Sequence, residues 1–324
     1  MPTKHDTPEA DSGDGSPASR AACAPGTARA TLDAPLGPWA GYRFAARPVF
    51  ATTSAHQHIE VVDLPAFGER GSPYQACRAY RLDGRFMASL ADAHICHECM
   101  VHPLILAHGT ARRVLILGGG DGGSAREALR HGSVKEVVIA ELDAQVPATV
   151  LRYLPSLPDG AFDDPRTTLV IGDARDLVEA AVARGERFDA VIFDLTEADG
   201  DAASLHGAPF FAKVHQLLTP RGGIALQLGA PWFEGTRVRH MLDALRSVFK
   251  HVMPMTAYVP LYGTQWALAI ASDALDARDL AALASAPLPA ALRGMRHYAP
   301  LRHAALFDIP PELRDILGEN APTP

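Results

Sequence analysis

The chain has 324 residues, a formal net charge of −7 at pH 7 and 48% hydrophobic residues. This length suffices for one large domain and a small one. The acidic balance argues against a nucleic-acid-binding protein, and no apolar run is long enough to span a membrane. The N-terminus lacks the apolar core of a signal peptide, so we expect a cytoplasmic protein. Four cysteines in a chain of this size do not predict a disulfide framework.

The first 90 residues divide into two parts by composition. Residues 1–37 are rich in Ala, Pro, Gly, Ser and Asp without a hydrophobic period, which predicts a disordered tail. Residues 38–90 show short β patterns, such as His58–Asp63 and Ala79–Gly84, and the second ends in an Asp-Gly turn signal. We therefore predict a small antiparallel β domain there. A helix is predicted next, from Asp92 to His108.

From Arg113 onward the patterns of strands and helices alternate. The predicted strands are Val114–Leu117, Glu136–Leu142, Thr168–Ile171, Ala190–Asp194 and Gly223–Leu228. Predicted helices start at Ser124 and Ala174 and span Pro209–Leu218 and Thr236–Phe249, and a Pro-rich connection follows the second strand. This rhythm predicts a doubly wound α/β sheet within residues 91–273. Residues 274–324 form an Ala- and Pro-rich C-terminal extension, in which the amphipathic piece Pro310–Leu317 is either a docking helix or part of a loose tail.

The glycine-rich loop Gly118–Gly123 follows a strand of consecutive apolar residues. Glycines let the backbone turn tightly and approach a ligand closely, and the helix that starts after them offers unpaired N–H groups. A phosphate-binding loop would not favour an acid at its centre, yet Asp121 stands there. The loop therefore predicts a ligand that carries positive charge.

Three further acids, Glu141, Asp173 and Asp194, follow successive predicted strands. Ligands of doubly wound sheets lie at the carboxyl ends of the strands, and an acid at the position of Glu141 commonly binds ribose hydroxyls. Asp173 could accept a hydrogen bond from an adenine amino group, with the next backbone N–H serving a ring nitrogen. A single acid at a strand end is more often a helix cap. Together with Asp121, these acids predict a nucleoside pocket with additional negative charge.

The stretch from Ser54 to Ser272 resembles the spermidine/spermine synthase family, the polyamine aminopropyltransferases. The matching features are the Gly118–Gly123 loop with Glu141 and Asp173, Leu82-Asp-Gly84, Cys96-His-Glu98 with His102-Pro103, the Asp194 segment, and Val259-Pro-Leu-Tyr262 followed by Trp266. The resemblance implies a Rossmann-like class I methyltransferase fold with a small N-terminal β domain. It also implies transfer of an aminopropyl group from decarboxylated S-adenosylmethionine to a polyamine, without a metal or other cofactor, and assembly as a homodimer or homotetramer.

The same resemblance implies roles for individual residues. Asp194 is the expected catalytic proton acceptor. The expected donor-binding residues hold the aminopropyl ammonium, the ribose, the adenine and the rest of the nucleoside; they are Asp121, Glu141, Asp173 with the amide of Ala174, Gln57 and His97. The expected acceptor-binding residues are Asp194, Glu197, Cys96 and Tyr262.

The departures from the family pattern concentrate at the acceptor end. The segment Asp194–Asp199 lacks the usual proline, Cys96 replaces a tyrosine and Met87 replaces a glutamine. The Asp-Leu-Thr start is more similar to spermine-type synthases, which favours an acceptor longer than putrescine. Two alternatives stay open, an S-adenosylmethionine-dependent methyltransferase and a non-catalytic binder of nucleosides or polyamines. Cys96 and Cys99 have no second cysteine pair, so we do not predict a metal site. The Cys96-His-Glu-Cys99 segment is expected to be part of a substrate-facing helix instead.

Overall fold

The computed structural model describes residues 30–37, 39–65, 77–196, 200–278 and 293–319. An antiparallel sheet of five strands comes first in the chain. Its strands pair in sequence order and are β1 (Ala30–Pro35), β2 (Gly41–Thr53), β3 (His58–Leu64), β4 (Cys77–Leu82) and β5 (Arg85–Ser89). The predicted Asp-Gly turn joins β4 to β5, with a positive φ at both Asp83 and Gly84, as such a turn requires.

The predicted disordered tail ends too late in the sequence. Residues Ala30–Pro35 form β1, which pairs with Gly41–Ala46 of β2. The burial of this strand alternates residue by residue. The inward positions are Ala30, Leu32 and Ala34, of which only Leu32 is strongly apolar, so the sequence carries little of the period that identifies a strand. Pairing with β2 decides its structure instead, as is common for an edge strand. Residues 1–29 lie outside the described residues.

The main sheet has seven strands in the order β11-β12-β10-β9-β6-β7-β8. They are β6 (Arg113–Gly118), β7 (Glu136–Glu141), β8 (Thr167–Ile171), β9 (Phe188–Asp194), β10 (Leu218–Gly229), β11 (His251–Val259) and β12 (Thr264–Ser272). Strands β6 to β10 are parallel, whereas β12 runs antiparallel to both β10 and β11. The strand order reverses between β9 and β6, and doubly wound sheets bind ligands at such a point.

Helices cover both faces of this sheet, as the sequence predicted. They are α1 (Ala93–His108), α2 (Gly123–Leu129), α3 (Gln145–Tyr153), α4 (Ala174–Ala183), α5 (Ala208–His215), α6 (Pro231–Arg246), α7 (His303–Phe307) and α8 (Pro311–Leu317). Alternate residues of β6 point to different cores, because side chains alternate along a strand. Ile116 packs with residues of α1, whereas Leu115 and Leu117 pack with residues of α4, α5 and α6.

Several elements differ from the prediction after β7. The predicted Pro-rich connection contains α3, whose Pro147 lies in the first turn, where a missing N–H costs no helical hydrogen bond. Strands β11 and β12 were not predicted. The amphipathic piece near the C-terminus is a docking helix rather than a loose tail, since Leu313 and Leu317 of α8 are fully buried in the core that includes Leu242 of α6.

Three short 3-10 helices complete the described structure, Gly200–His206, Pro260–Tyr262 and Pro300–Arg302. The segment Pro260–Tyr262 joins β11 to β12 and lies next to the N-terminal sheet, where Tyr42 of β2 donates a hydrogen bond to the carbonyl of Leu261. No helix in the described part of the chain is long and apolar enough to cross a membrane.

Candidate active site

A cavity of about 540 Å³ opens at the carboxyl ends of β6, β7 and β9. Residues of β4 and β5 and the Pro260–Tyr262 segment close its other side. The predicted site residues that line it are Gln57, Cys96, His97, Asp121, Glu141, Asp173, Ala174, Asp194 and Tyr262. Glu197 lies outside the described residues. The fold therefore brings together side chains that are distant in sequence, while their individual roles stay predictions.

Two glycines of the loop make room for side chains of the protein itself. A Cβ atom at Gly120 would lie 2.5 Å from Oε2 of Glu141, and one at Gly123 would overlap the ring of His97. Neither clash could be relieved without moving a buried group, because His97 and Glu141 are 4% and 8% exposed. These glycines thus admit a carboxylate and an imidazole to the floor of the cavity.

Asp121 occupies the centre of this floor and is almost fully buried. Its Oδ1 atom accepts a hydrogen bond from the Gly123 N–H at 2.7 Å, and its Oδ2 atom accepts one from the Tyr80 hydroxyl at 3.3 Å. Nε2 of His97 lies 3.5 Å from the same Oδ2 atom. Burial alone would raise the pKa of Asp121, but the charge and contact of His97 lower it below its usual value. Asp121 is therefore an anion with one face toward the cavity.

His97 lies between two carboxylates. Its Nε2 atom is 3.5 Å from Oδ2 of Asp121 and 3.9 Å from Oδ2 of Asp194. Burial lowers the pKa of His97, but the two acids outweigh it and raise that pKa to about 9. Ligand atoms of the three side chains lie within 4.8 Å of one another. This spacing would suit one small cation, an ammonium group as well as a metal ion.

Asp194 ends β9 directly beside the glycine loop, and its carbonyl accepts a hydrogen bond from the Gly119 N–H at 2.8 Å. Its Oδ2 atom is buried and has no hydrogen-bond partner. Burial raises the pKa of Asp194 to about 6; Asp121 adds to this rise and His97 opposes it. A carboxylate with this pKa and a vacant lone pair is suited to accept a proton near neutral pH.

Glu141 and its neighbour Asp143 form a second acidic pair at the end of β7. Oε1 of Glu141 accepts a hydrogen bond from the Asp143 N–H at 2.8 Å, and burial raises the pKa of Glu141 to about 7. Oδ2 of Asp143 accepts hydrogen bonds from the Ser54 hydroxyl at 2.6 Å and from the Gln57 amide at 3.0 Å. Asp143 was not predicted from the sequence, yet it orients the predicted Gln57.

Asp173 is a helix cap that also lines the cavity. It caps the N-terminus of α4, where Oδ1 accepts the Arg175 N–H at 2.8 Å. The guanidinium of Arg175 also contacts both oxygens, at 3.1 Å and 2.7 Å, and donates to the Ser204 hydroxyl at 3.0 Å. The sequence did not predict this guanidinium contact, which leaves the carboxylate of Asp173 beside a positive charge.

Of the residues predicted for the acceptor, Cys96 and Tyr262 line the cavity together, and Trp266 lies beside Tyr262 in the same lining. Tyr262 donates a hydrogen bond to the Met87 carbonyl at 2.6 Å, and its ring centroid lies 4.5 Å from that of Trp266. Asp92, another residue that sequence reasoning missed, accepts the Leu261 N–H at 2.7 Å and so fixes the segment that carries Tyr262. Burial raises the pKa of the Cys96 thiol, which stays neutral.

The Cys96-His-Glu-Cys99 motif faces two directions. Cys96 and His97 line the cavity, whereas Glu98 is buried on the other side of α1. The carboxylate of Glu98 accepts three backbone N–H groups of the C-terminal extension, those of Arg296, His297 and Tyr298, at 2.9, 2.8 and 2.7 Å. Glu98 is therefore a structural anchor, and the sequence expectation of a substrate-facing helix holds only for its first two motif residues.

Comparisons with known proteins agree with this architecture. The spermine/spermidine synthase domain model matches residues 93–279. A polyamine aminopropyltransferase of Nitrosomonas europaea is 37% identical over 290 residues, which cover 89% of this chain and 86% of that protein. One of Korarchaeum cryptofilum is 36% identical over 272 residues, which cover 83% of this chain and 81% of that protein. The spermidine synthase of Thermotoga maritima superposes with a TM-score of 0.78 at 25% identity and covers 91% of this chain and 96% of its own.

These matches confirm the predicted fold class, a class I methyltransferase-like α/β fold preceded by a small antiparallel sheet. The protein is thus a transferase of that fold. The chain belongs to the spermine/spermidine synthase family, as the sequence resemblance implied.

Proposed function

We propose that the protein transfers the aminopropyl group of decarboxylated S-adenosylmethionine to a primary amine of a polyamine and releases methylthioadenosine. The observation that carries this proposal is the buried cluster of Asp121, His97 and Asp194 beside the glycine loop. A cavity floor with two carboxylates suits a donor with an ammonium group and a sulfonium. The names of the relatives from Nitrosomonas europaea and Korarchaeum cryptofilum support the same reaction.

The donor half of the cavity would hold the nucleoside by complementary charge and hydrogen bonding. Asp121 would bind the aminopropyl ammonium, and Glu141 would accept hydrogen bonds from the ribose hydroxyls. Asp173 would accept a hydrogen bond from the adenine amino group, and the Ala174 N–H would donate one to a ring nitrogen. Arg175 would hold the Asp173 carboxylate in place. The carboxylate of intact S-adenosylmethionine would be repelled by Asp121, which gives a physical reason for selecting the decarboxylated donor.

The reaction needs an uncharged amine aligned with the carbon next to the sulfonium. A primary amine has a pKa of about 10, close to that of lysine, so most of it arrives protonated. Asp194 would accept one proton from it. The nitrogen lone pair then forms the new C–N bond while the C–S bond breaks and its electron pair stays on sulfur as a neutral thioether. The remaining acceleration would come from positioning the two substrates, and no metal or redox cofactor enters these steps.

The acceptor is proposed to be longer than putrescine. Cys96 and Met87 stand where the family keeps a tyrosine and a glutamine, and both line the cavity. Cysteine is smaller than tyrosine and methionine is less polar than glutamine, so this end of the cavity gains apolar space beside Tyr262 and Trp266, whose rings suit the methylene stem of a longer polyamine. We also propose a homodimer or homotetramer assembled through the N-terminal sheet, where Trp39 is 96% exposed. The cytoplasmic location stays a prediction.

Product analysis tests the proposal. The protein is incubated with decarboxylated or intact S-adenosylmethionine and a panel of amines, and the products are followed by mass spectrometry. We expect methylthioadenosine and an aminopropylated amine, with spermidine used better than putrescine. S-adenosylhomocysteine as the product would establish methyl transfer instead. Saturable donor binding without product across the panel would identify a non-catalytic binder.

A further inference from the structure

The buried cluster on the cavity floor has an electrostatic requirement of its own. The side chains of Asp121 and Asp194 are 6% and 13% exposed, so water screens their mutual repulsion poorly. The positive charge between them is the His97 ring, 3.5 Å and 3.9 Å from their Oδ2 atoms. Its pKa of about 9 keeps it charged at neutral pH. The empty site is therefore stabilised by a cation that belongs to the protein.

Other titratable groups around His97 come from each neighbouring element. Tyr80 of β4 donates its hydroxyl to Asp121, and burial keeps the pKa of Tyr80 and of Cys96 well above their usual values. Tyr262 is likewise neutral because burial raises its pKa. Arg126 of α2 opposes the protonation of His97 through its charge, while its guanidinium binds Glu127 at 2.7 Å.

Glu141 of β7 completes these surroundings, and burial raises its pKa to about 7. Within the described residues that contact or face His97, the two aspartates thus supply the negative charge that keeps it protonated. A donor ammonium beside Asp121 would take over the role of the Nε2 proton of His97, which now faces Oδ2 of Asp121.

We propose that His97 is a resident cation whose proton is displaced when the donor binds. This inference rests on the proposed function, because the displacing charges are the ammonium and the sulfonium of decarboxylated S-adenosylmethionine. If His97 kept its proton, three positive charges would share a site with two carboxylates. Loss of the Nε2 proton to the buffer leaves two positive charges opposite two negative ones. His97 is then a neutral hydrogen-bond partner for the donor.

The proton balance of a full turnover follows from this exchange. Donor binding releases one proton from His97, and the reaction converts the sulfonium into a neutral thioether. Asp194 returns the proton that it took from the acceptor amine to the buffer, which is the one net proton of the reaction. When the uncharged methylthioadenosine and the aminopropylated amine leave, the two carboxylates are again without a cation. His97 then takes up a proton from the buffer and restores the empty site. The affinity for the donor must consequently rise with pH as long as free His97 is protonated, and it must level off above the His97 pKa of about 9.

Titration calorimetry at pH 8 in buffers with different ionisation enthalpies measures this proton release directly. We expect decarboxylated S-adenosylmethionine to release about one proton per site. Methylthioadenosine has the same nucleoside but neither positive charge, so it should release almost none. The variant His97→Gln keeps a hydrogen-bonding side chain of similar length and should release far fewer protons when it binds the donor. Any remaining release would come from the two aspartates, because His97 lowers the pKa of both. The control variant His94→Gln, on the same helix but outside the cavity lining, should still release the proton, because burial lowers the pKa of His94 to about 3 and His94 has no proton to lose.

The outcomes separate this inference from the proposed function. Unchanged proton release in His97→Gln, or equal release with methylthioadenosine, overturns the role of His97 while the aminopropyl transfer stands. Donor binding without any proton release by the unmodified protein also overturns it. Failure of the unmodified protein to bind the decarboxylated donor at all refutes the proposed function itself. Between pH 7 and pH 9, about the pKa of free His97, donor affinity should rise at least tenfold in the unmodified protein and less than twofold in His97→Gln.

Discussion

Replacement of Asp121 with asparagine removes one negative charge from the cavity floor and changes little else. The new side chain has the same shape, and its carbonyl oxygen can still accept the Gly123 N–H that Asp121 binds at 2.7 Å. The Tyr80 hydroxyl, 3.3 Å from Oδ2, keeps a polar partner. We therefore expect Asp121→Asn to fold normally and to weaken the binding of the charged donor.

The size of this effect follows from the burial of the site. Two unit charges about 4 Å apart attract each other by about 4 kcal/mol at an effective dielectric constant of about 20. Part of this loss is offset, because His97 becomes less basic without Asp121 and repels the donor less. A net loss of about 2 to 3 kcal/mol corresponds to ~30- to ~150-fold weaker binding.

Calorimetric titration with two ligands checks this prediction. The dissociation constant of decarboxylated S-adenosylmethionine should rise by the stated factor in Asp121→Asn. That of methylthioadenosine, which lacks the ammonium, should change less than about threefold, because a neutral ligand gains little from the carboxylate. Equal weakening of both ligands would show that Asp121 acts on the nucleoside or on the fold, and the charge argument would be refuted.

Four further measurements test the remaining assignments. Asp194→Asn should abolish turnover in a coupled assay but change the donor affinity less than about tenfold. The value of kcat/KM should fall as the pH falls through about 6, because burial gives Asp194 that pKa and the protonated carboxyl cannot accept a proton; a flat profile down to pH 5 would contradict this. Dialysis against EDTA should leave the rate unchanged. Glu98→Ala should lower the free energy of unfolding by at least ~3 kcal/mol in urea, since three buried N–H groups lose their acceptor, and Glu98→Gln by less.

The sequence predicted the parts of the fold that depend on local patterns. The strand–loop–helix unit from β6 to α2 and the acids after β7 and β9 follow from apolar runs and from their punctuation by glycine. Strand β11 escaped prediction because Pro254 lies within it and Pro260 follows its last residue, and proline is disfavoured within strands. Its antiparallel partner β12, which was not predicted either, is buried along nearly its whole length. Packing and pairing with β12 therefore stabilise β11 as a strand in spite of its proline.

Residues that position other residues could not be predicted from such local patterns. Asp143 and Asp92 bind no predicted ligand, yet one orients Gln57 and the other fixes the segment of Tyr262. Glu98 belongs to a motif that indicated a substrate-facing helix, but its three partners come from residues about two hundred positions later. Such contacts are set by the packing of elements, and a single sequence carries no direct record of them.

The glycine-rich loop illustrates how a motif can be identified correctly and explained incompletely. From sequence alone, its glycines were attributed to a tight turn and to close approach by a ligand. In the structure, Gly120 and Gly123 are needed because Glu141 and His97 occupy the space that a Cβ atom would take. The loop is therefore shaped by the charged groups that the cavity must contain. A methyl group at Gly123 would leave the backbone turn possible but would displace His97 from between its two carboxylates, and the charge balance of the empty site would change with it.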